Sequence, residues 1–157
     1  MKHDFILSGI PQKEVQHLFH LDEQTLNAKG ISKIIVDEKP GFPCWLSLKD
    51  AEIGETILAF NYEHHKVSSP YRSSGPVFVR IHAKEAQLKQ NEIPKMLKYR
   101  YLSLRAYNAE GIMVDATTLF GDQLKNEIQT IFSNHEVAYI QVHNAKPGCY
   151  NCQINRV

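Results

Sequence analysis

The stretch from Tyr101 to Ile112 constrains the fold more than any other part of the chain. Leu102, Leu104 and Ala106 alternate with Tyr101, Ser103, Arg105 and Tyr107, the period-two pattern of a strand with one apolar and one polar face. Asn108-Ala109-Glu110-Gly111 follows. Asn at the first position of a type I turn and Gly in the left-handed position suit that geometry, and a three-residue hairpin loop of this kind fixes the register. Pairing Asn108 with Ile112 sets Tyr107 opposite Met113 and Arg105 opposite Asp115. The expected product is an antiparallel hairpin whose polar side holds a guanidinium beside a carboxylate.

The rest of the chain offers shorter signals. Asp4 to Ser8, Ile31 to Val36, Ile57 to Tyr62, Val77 to His82, Val137 to His143 and Tyr150 to Val157 read as strands. Val15, Leu18 and Phe19 have helical spacing within Lys13 to His20, and Asp22 and Gly30 bracket a second short helix. Phe120, Leu124, Ile128, Ile131 and Phe132 predict the strongest amphipathic helix, over about Asp122 to Ser133. A further short helix is expected from Pro94. The segments Lys39–Pro43 and Val67–Pro76 read as a turn and a loop. Strands and helices do not alternate regularly. The expectation is therefore an α+β single domain, residues 1–157, with a mostly antiparallel β-sheet of about seven strands and three or four short helices.

Composition narrows the function classes. Hydrophobic residues make up 43% and charged residues 22%, which excludes a low-complexity or collagen-like chain. Eighteen Lys and Arg balance seventeen Asp and Glu, for a net charge of +1, and no cationic run exceeds two residues. Nucleic acid is therefore not an expected partner. No apolar stretch approaches the ~20 residues of a membrane span, and the longest apolar run near the N-terminus is too short for a signal-peptide core. The chain is expected to be cytoplasmic, with no membrane contact. Three cysteines in a reducing compartment do not suggest structural disulfides.

Several residues are candidates for chemistry. Between two strands, the Ser68–Gly75 loop carries Tyr71 and Arg72, and an Arg fork suits carboxylates or phosphates. Together with Arg105 and Asp115 on the hairpin, these residues would line a site for a small polar or anionic molecule. Two bland readings stand beside that one: a hydroxyl-rich surface loop, and a cross-strand ion pair worth ~0.2–1 kcal/mol. Cys149-Tyr150-Asn151-Cys152 is a Cys-x-x-Cys pair, a spacing that serves metal binding, redox exchange or plain packing. Cys44 and His143 would complete a Cys₃His metal set if the fold gathered them. The pair precedes a strand rather than a helix, which argues against a thioredoxin-like site. His64-His65 is a tempting metal pair, but neighbours on a regular strand point to opposite faces. Asp50, Glu52 and Glu55 read as a polar turn. No P-loop, Gly-x-Ser-x-Gly, His-Glu-x-x-His or kinase pattern occurs.

Taken in order, Gly41-Phe42-Pro43-Cys44, Leu48 to Glu55, Ser69-Pro70-Tyr71, Gly75 to Val79, Leu102 to Tyr107, Gly111 to Ala116, Val137-Ala138-Tyr139, His143-Asn144-Ala145 and Gly148 to Cys152 resemble an uncharacterised bacterial family, domain of unknown function 1203. The resemblance covers nearly the whole chain and implies a small bacterial single-domain protein, with no established activity. It singles out Cys44, Tyr71, Arg105, Asp115, Cys149 and Cys152 as positions that folding alone explains poorly. In the family pattern a second cysteine stands three residues after Cys44; here it is Ser47, so zinc is not favoured as a cofactor. Three functions are expected in this order: a small-ligand binding protein or an enzyme acting on such a ligand, with Tyr71, Arg72, Arg105 and Asp115 at the site; a thiol-based metal or redox module built on Cys44, Cys149, Cys152 and His143; and a protein-interaction domain without chemistry.

Overall fold

The computed structural model describes residues 2–157. In chain order the elements are β1 (Phe5–Ser8), α1 (Gln12–Val15) continued by a 3₁₀ turn at Gln16–His20, α2 (Glu23–Ala28), β2 (Ser32–Ile35), β3 (Pro43–Cys44), β4 (Lys49–Asp50), β5 (Thr56–His65) and β6 (Ser73–Arg80). A 3₁₀ turn at Lys95–Leu97 then leads to β7 (Tyr101–Tyr107) and β8 (Met113–Phe120). A last 3₁₀ turn at Gly121–Gln123 opens α3 (Leu124–Phe132), followed by β9 (Tyr139–Asn144) and β10 (Tyr150–Arg156). The mostly antiparallel α+β architecture is as expected. The strand count is not: among the described residues ten strands form three sheets rather than one sheet of about seven. The three beyond that count are β8, the second strand of the expected hairpin, and β3 and β4, two residues each and too short to leave a periodic signal.

The main sheet has five strands in the order β1-β10-β9-β7-β8, and a second sheet has the order β2-β5-β6. One face of the main sheet is apolar: Phe5, Leu7, Leu102, Leu104, Ala106, Ile140, Val142 and Ile154 are buried there. Helix α3 covers this face. Arg156, opposite Phe5 in the register, places its guanidinium 4.5 Å from the centre of the Phe132 ring. It also donates to the carbonyls of Phe132, Asn134 and Val137. No side chain caps the N-terminus of α3, a loss of about 1 kcal/mol. Burial of Leu124, Ile128, Ile131 and Phe132 outweighs it, at about 1.5–3 kcal/mol per side chain. Helix α2 starts as expected, with Asp22 accepting from the Thr25 N–H at 2.7 Å.

The hairpin turn forms as read. Asn108 N–H donates to the Ile112 carbonyl at 2.9 Å, Asn108 Oδ1 accepts from the N–H groups of Glu110 and Ile112, and Gly111 takes φ +77°. Tyr107 pairs with Met113, but Arg105 pairs with Ala116 and Asp115 with Ala106. A β-bulge between Ala106 and Tyr107 inserts one residue into β8, and one residue of slip moves every later side chain to the other face. The expected pairing of Arg105 with Asp115 is therefore corrected: the two lie on opposite faces. Asp115 is exposed and accepts from the Ala116 N–H.

Strand β5 runs to His65, past the expected end at Tyr62, and β6 begins at Ser73. Only Lys66–Arg72 remains between them. This short loop is tied to the hairpin, where Ser69 Oγ donates to the Gly111 carbonyl at 2.7 Å. A Cβ on Gly111 would come within 2.7 Å of the Val67 side chain, so glycine serves both the left-handed turn and the close approach. Among the described residues no helix is long and apolar enough to cross a membrane.

Candidate functional site

The second face of the main sheet is polar and lies under the three-stranded sheet. Cross-strand pairing lines up Ser103 with His143, Arg105 with Gln141, and Tyr107 with Tyr139. Strand β10 adds Tyr150 beside His143 and Gln153 beside Gln141. Over this face lies the end of β5. The His64 ring stacks on Tyr150, with centroids 4.8 Å apart and planes 7° apart, and meets the His143 ring edge-on at 5.0 Å. The next residue, His65, packs on Tyr107 at 4.1 Å and on Tyr139 at 5.7 Å. His64 and His65 thus face the same sheet, against expectation. A bulge between Tyr62 and His65 breaks the pleat at this point.

Hydrogen bonds assign the protons. Gln141 Nε2 donates to the His64 carbonyl at 2.7 Å and to Gln153 Oε1 at 3.2 Å. Gln141 Oε1 is left to accept, so His64 Nδ1 carries a proton and donates to it at 2.8 Å. His143 Nδ1 donates to the Gly148 carbonyl at 2.9 Å, so its Nε2 holds a lone pair. That atom is buried and has no partner among the described residues. His65 differs from both: Nδ1 donates to the Tyr71 carbonyl at 2.8 Å, and Nε2 accepts from the Tyr139 hydroxyl at 2.5 Å. Its two nitrogens are used up in structure. His64 and His143 each keep a free Nε2.

Both rings with a free nitrogen are held neutral. Burial drives His143 down to about 3, against a smaller upward pull from the Gly148 carbonyl; the charge of Arg105 adds to the lowering. Burial also lowers His64, opposed by the bond to Gln141, with small contributions from His65 and Arg105. Tyr107 is raised by burial and partly restored by Arg105. In the register Arg105 lies between Ser103 and Tyr107 on the same face of β7, level with Gln141 and one pair along from His143. Arg105 is partly buried and has no ion pair among the described residues.

The other residues expected at the ligand site are placed differently. The Tyr71 ring meets Tyr107 edge-on at 6.1 Å, so it borders the same region. Arg72 is largely exposed and held by Glu63 at 2.7 Å, which removes it as a free anchor. Asp115 lies on the far face, as described. Asp50 is not part of a simple polar turn: it is paired with Arg100 at 2.7 Å, both side chains being largely buried.

The thiols do not converge. Cys44 Sγ accepts the N–H groups of Ser47 and Arg80 at 3.4 and 3.3 Å. Cys152 pairs with Val142 on the apolar side of the main sheet, whereas His143 points to the polar side. Cys149 lies partly exposed ahead of β10. The proposed metal set of Cys44, Cys149, Cys152 and His143 is thereby corrected. Among the described residues no three His, Cys, Asp or Glu side chains are grouped to hold a metal ion. His64 and His143 contribute only two lone pairs, where a zinc site takes at least three protein ligands. Burial pushes the Cys152 thiol well above its usual range, the opposite of what a thiolate nucleophile requires.

Reading β9 for its polar side finds most of this cluster. The alternation that marks Ala138, Ile140 and Val142 as apolar also places Tyr139, Gln141 and His143 together on the other face. His64 carries no such signal, because a bulge delivers it.

Comparison with curated proteins and with solved structures finds no match. Residues 41–156, from β3 to the end of β10, match the family model described as a protein of unknown function (DUF1203), and the chain belongs to that family.

Proposed function

We propose that the protein binds a small anionic molecule on the polar face of the main sheet, with Arg105 meeting its charge. The observation that carries this reading is an arginine without a carboxylate partner, set beside two imidazoles that are both held neutral and both keep an unprotonated Nε2. A solvated surface arginine needs no such surroundings. Burial chiefly lowers the affinity of both rings for a proton, with a smaller contribution from Arg105, so neither imidazole adds a positive charge beside the guanidinium.

The donor and acceptor pattern narrows the ligand class. Arg105 offers a planar fork to a carboxylate or phosphate. The Nε2 atom of His64 can only accept. A ligand that suits both carries a hydroxyl or an N–H next to its anionic group, as hydroxy acids, amino acids and protonated phosphate esters do. Ser103, paired with His143 and next but one to Arg105 along β7, can serve either as donor or as acceptor. The three register shifts of the two larger sheets, at Tyr62/His65, Ala106/Tyr107 and Tyr150/Cys152, all adjoin this cluster. Bulges are concentrated where a strand re-aims a side chain at a site.

The test is a thermal shift screen of 2-hydroxy acids, amino acids and phosphate monoesters, with Arg105→Ala as control. A ligand at 100 times its Kd stabilises by about 2.7 kcal/mol, which is about 5–10 °C for a chain of this size. Arg105→Ala is expected to abolish the shift. No shift from any class, or an unchanged shift in Arg105→Ala, rejects the reading.

A further inference from the structure

Beyond the Arg105 cluster, the geometry points to a second site. A cavity of about 640 Å³ opens where β3, β6, β7, the end of β8 and the turn before β10 meet. That volume is in the range of small-molecule sites. Its walls are rings: Trp45, Phe78, Tyr99, Tyr101 and Phe120 all line it, and Lys146 stands among them. Trp45 is almost fully buried and forms the floor, while Phe120 is 61% exposed at the rim. The Tyr101 and Phe120 rings lie 4.9 Å apart, and the Tyr101 hydroxyl is fixed by Thr118 Oγ1 at 3.0 Å. One aromatic wall is thus pre-oriented, yet both of its rings stay substantially exposed.

The charges in the cavity are of one sign. Arg100 is spent on Asp50. Lys146 has no ion pair among the described residues. No acidic side chain lines the cavity. We infer that this cleft binds a small planar aromatic acid, its ring packed on the tilted Tyr101–Phe120 pair, whose planes differ by 53°, face-on to one and edge-on to the other, and its carboxylate turned to Lys146. Stacking selects a flat, unsaturated ring, because aromatic pairs gain over and above the area they bury. The ammonium selects the anion over its neutral counterpart.

The chain contains one tryptophan, and it is the cavity floor, so occupancy reads directly as quenching of Trp45 fluorescence. The probe is 4-nitrobenzoate, corrected for absorption against free N-acetyltryptophanamide. Benzoate and its saturated analogue, cyclohexanecarboxylate, compete with it for the same site in parallel. Saturable quenching is expected, with cyclohexanecarboxylate at least about threefold weaker than benzoate as a competitor. Phe120→Ala should weaken 4-nitrobenzoate by about threefold to tenfold, and Lys146→Met by about threefold. Phe120 and Lys146 lie at the surface, and far-ultraviolet circular dichroism verifies that both variants fold. Arg105→Ala should bind as wild type. Quenching that does not saturate, equal competition by the saturated acid, or no effect of Phe120→Ala overturns the inference. Loss of binding in Arg105→Ala does so too, because it places the acid at the histidine cluster instead.

Discussion

The most exposed consequence of the site's physics is a specific acid sensitivity carried by His143. Its ring is 1% exposed, and burial lowers its proton affinity from the ordinary 6.5 to about 3. The unfolded chain binds a proton at this position below about pH 6.5, whereas the folded chain resists it down to about pH 3. The corresponding stability is complete above the unfolded value and is lost as pH falls through the window between the two. At 1.36 kcal/mol per pH unit, the full window amounts to about 5 kcal/mol. Between pH 7.5 and pH 5.0 the loss from this one group is about 2 kcal/mol, equivalent to a fall in Tm of about 4–8 °C. The measurement is urea unfolding at both pH values for wild type and for His143→Asn, which keeps a donor for the Gly148 carbonyl and does not titrate. Other groups, His64 among them, contribute to both proteins and cancel in the comparison. The variant starts less stable because a ring is lost, but its stability should fall by about 2 kcal/mol less than that of wild type on acidification. If the two proteins lose the same amount, within about 0.5 kcal/mol, then His143 is not held neutral by burial. The donor and acceptor pattern assigned to the site then fails with it.

Two further outcomes follow from the same packing. Asp50→Ala removes the partner of a guanidinium whose side chain is only 15% exposed; an uncompensated buried charge of this kind costs about 3–5 kcal/mol. A loss below about 1 kcal/mol in urea unfolding would show that the pair is solvated. Thiol titration of the native protein should find one cysteine reacting readily, Cys149, since Cys44 and Cys152 are both at 0% exposure; three react once the chain is unfolded. Two or more fast thiols in the native state would contradict the placement of the Cys-x-x-Cys pair.

The fold was legible wherever local chemistry determines geometry. Asn108 and Gly111 specify their own turn, Asp22 caps its helix, and the apolar spacing of α3 is plain, because each acts within a few residues. The polar face of the main sheet was also legible in principle: Ser103, Arg105 and Tyr107 alternate on β7, as do Tyr139, Gln141 and His143 on β9. Register was not. Arg105 and Asp115 were expected side by side on the assumption of an unbroken pleat, and His64 and His65 were set on opposite faces for the same reason. Each inference failed at a bulge. A bulge is decided by what two sheets bury between them, not by the residues that form it, so nothing in Tyr62-Glu63-His64-His65 announces one. The thiols misled in a related way: Cys-x-x-Cys spacing leaves open which face each sulfur takes, and Cys152 went to the core side.

These failures are not scattered. A strand that kept its pleat would have sent one of His64 and His65 away from the main sheet. With the shift between Tyr62 and His65, one imidazole reaches Gln141 and His143 while the next braces Tyr71 and Tyr139. The shift at Ala106/Tyr107 removes the carboxylate that would otherwise have neutralised Arg105. Regular pairing would have given a self-satisfied hairpin with a surface ion pair worth under about 1 kcal/mol and no charge left over. The irregular pairing leaves a guanidinium without a counter-ion, next to an imidazole nitrogen without a donor. The His143 nitrogen is buried without a partner among the described residues, which is costly to keep in a folded chain. A ligand that supplies an anion and a proton donor together would meet both at once, and it is this coincidence, rather than the presence of any one residue, that supports the proposed binding site.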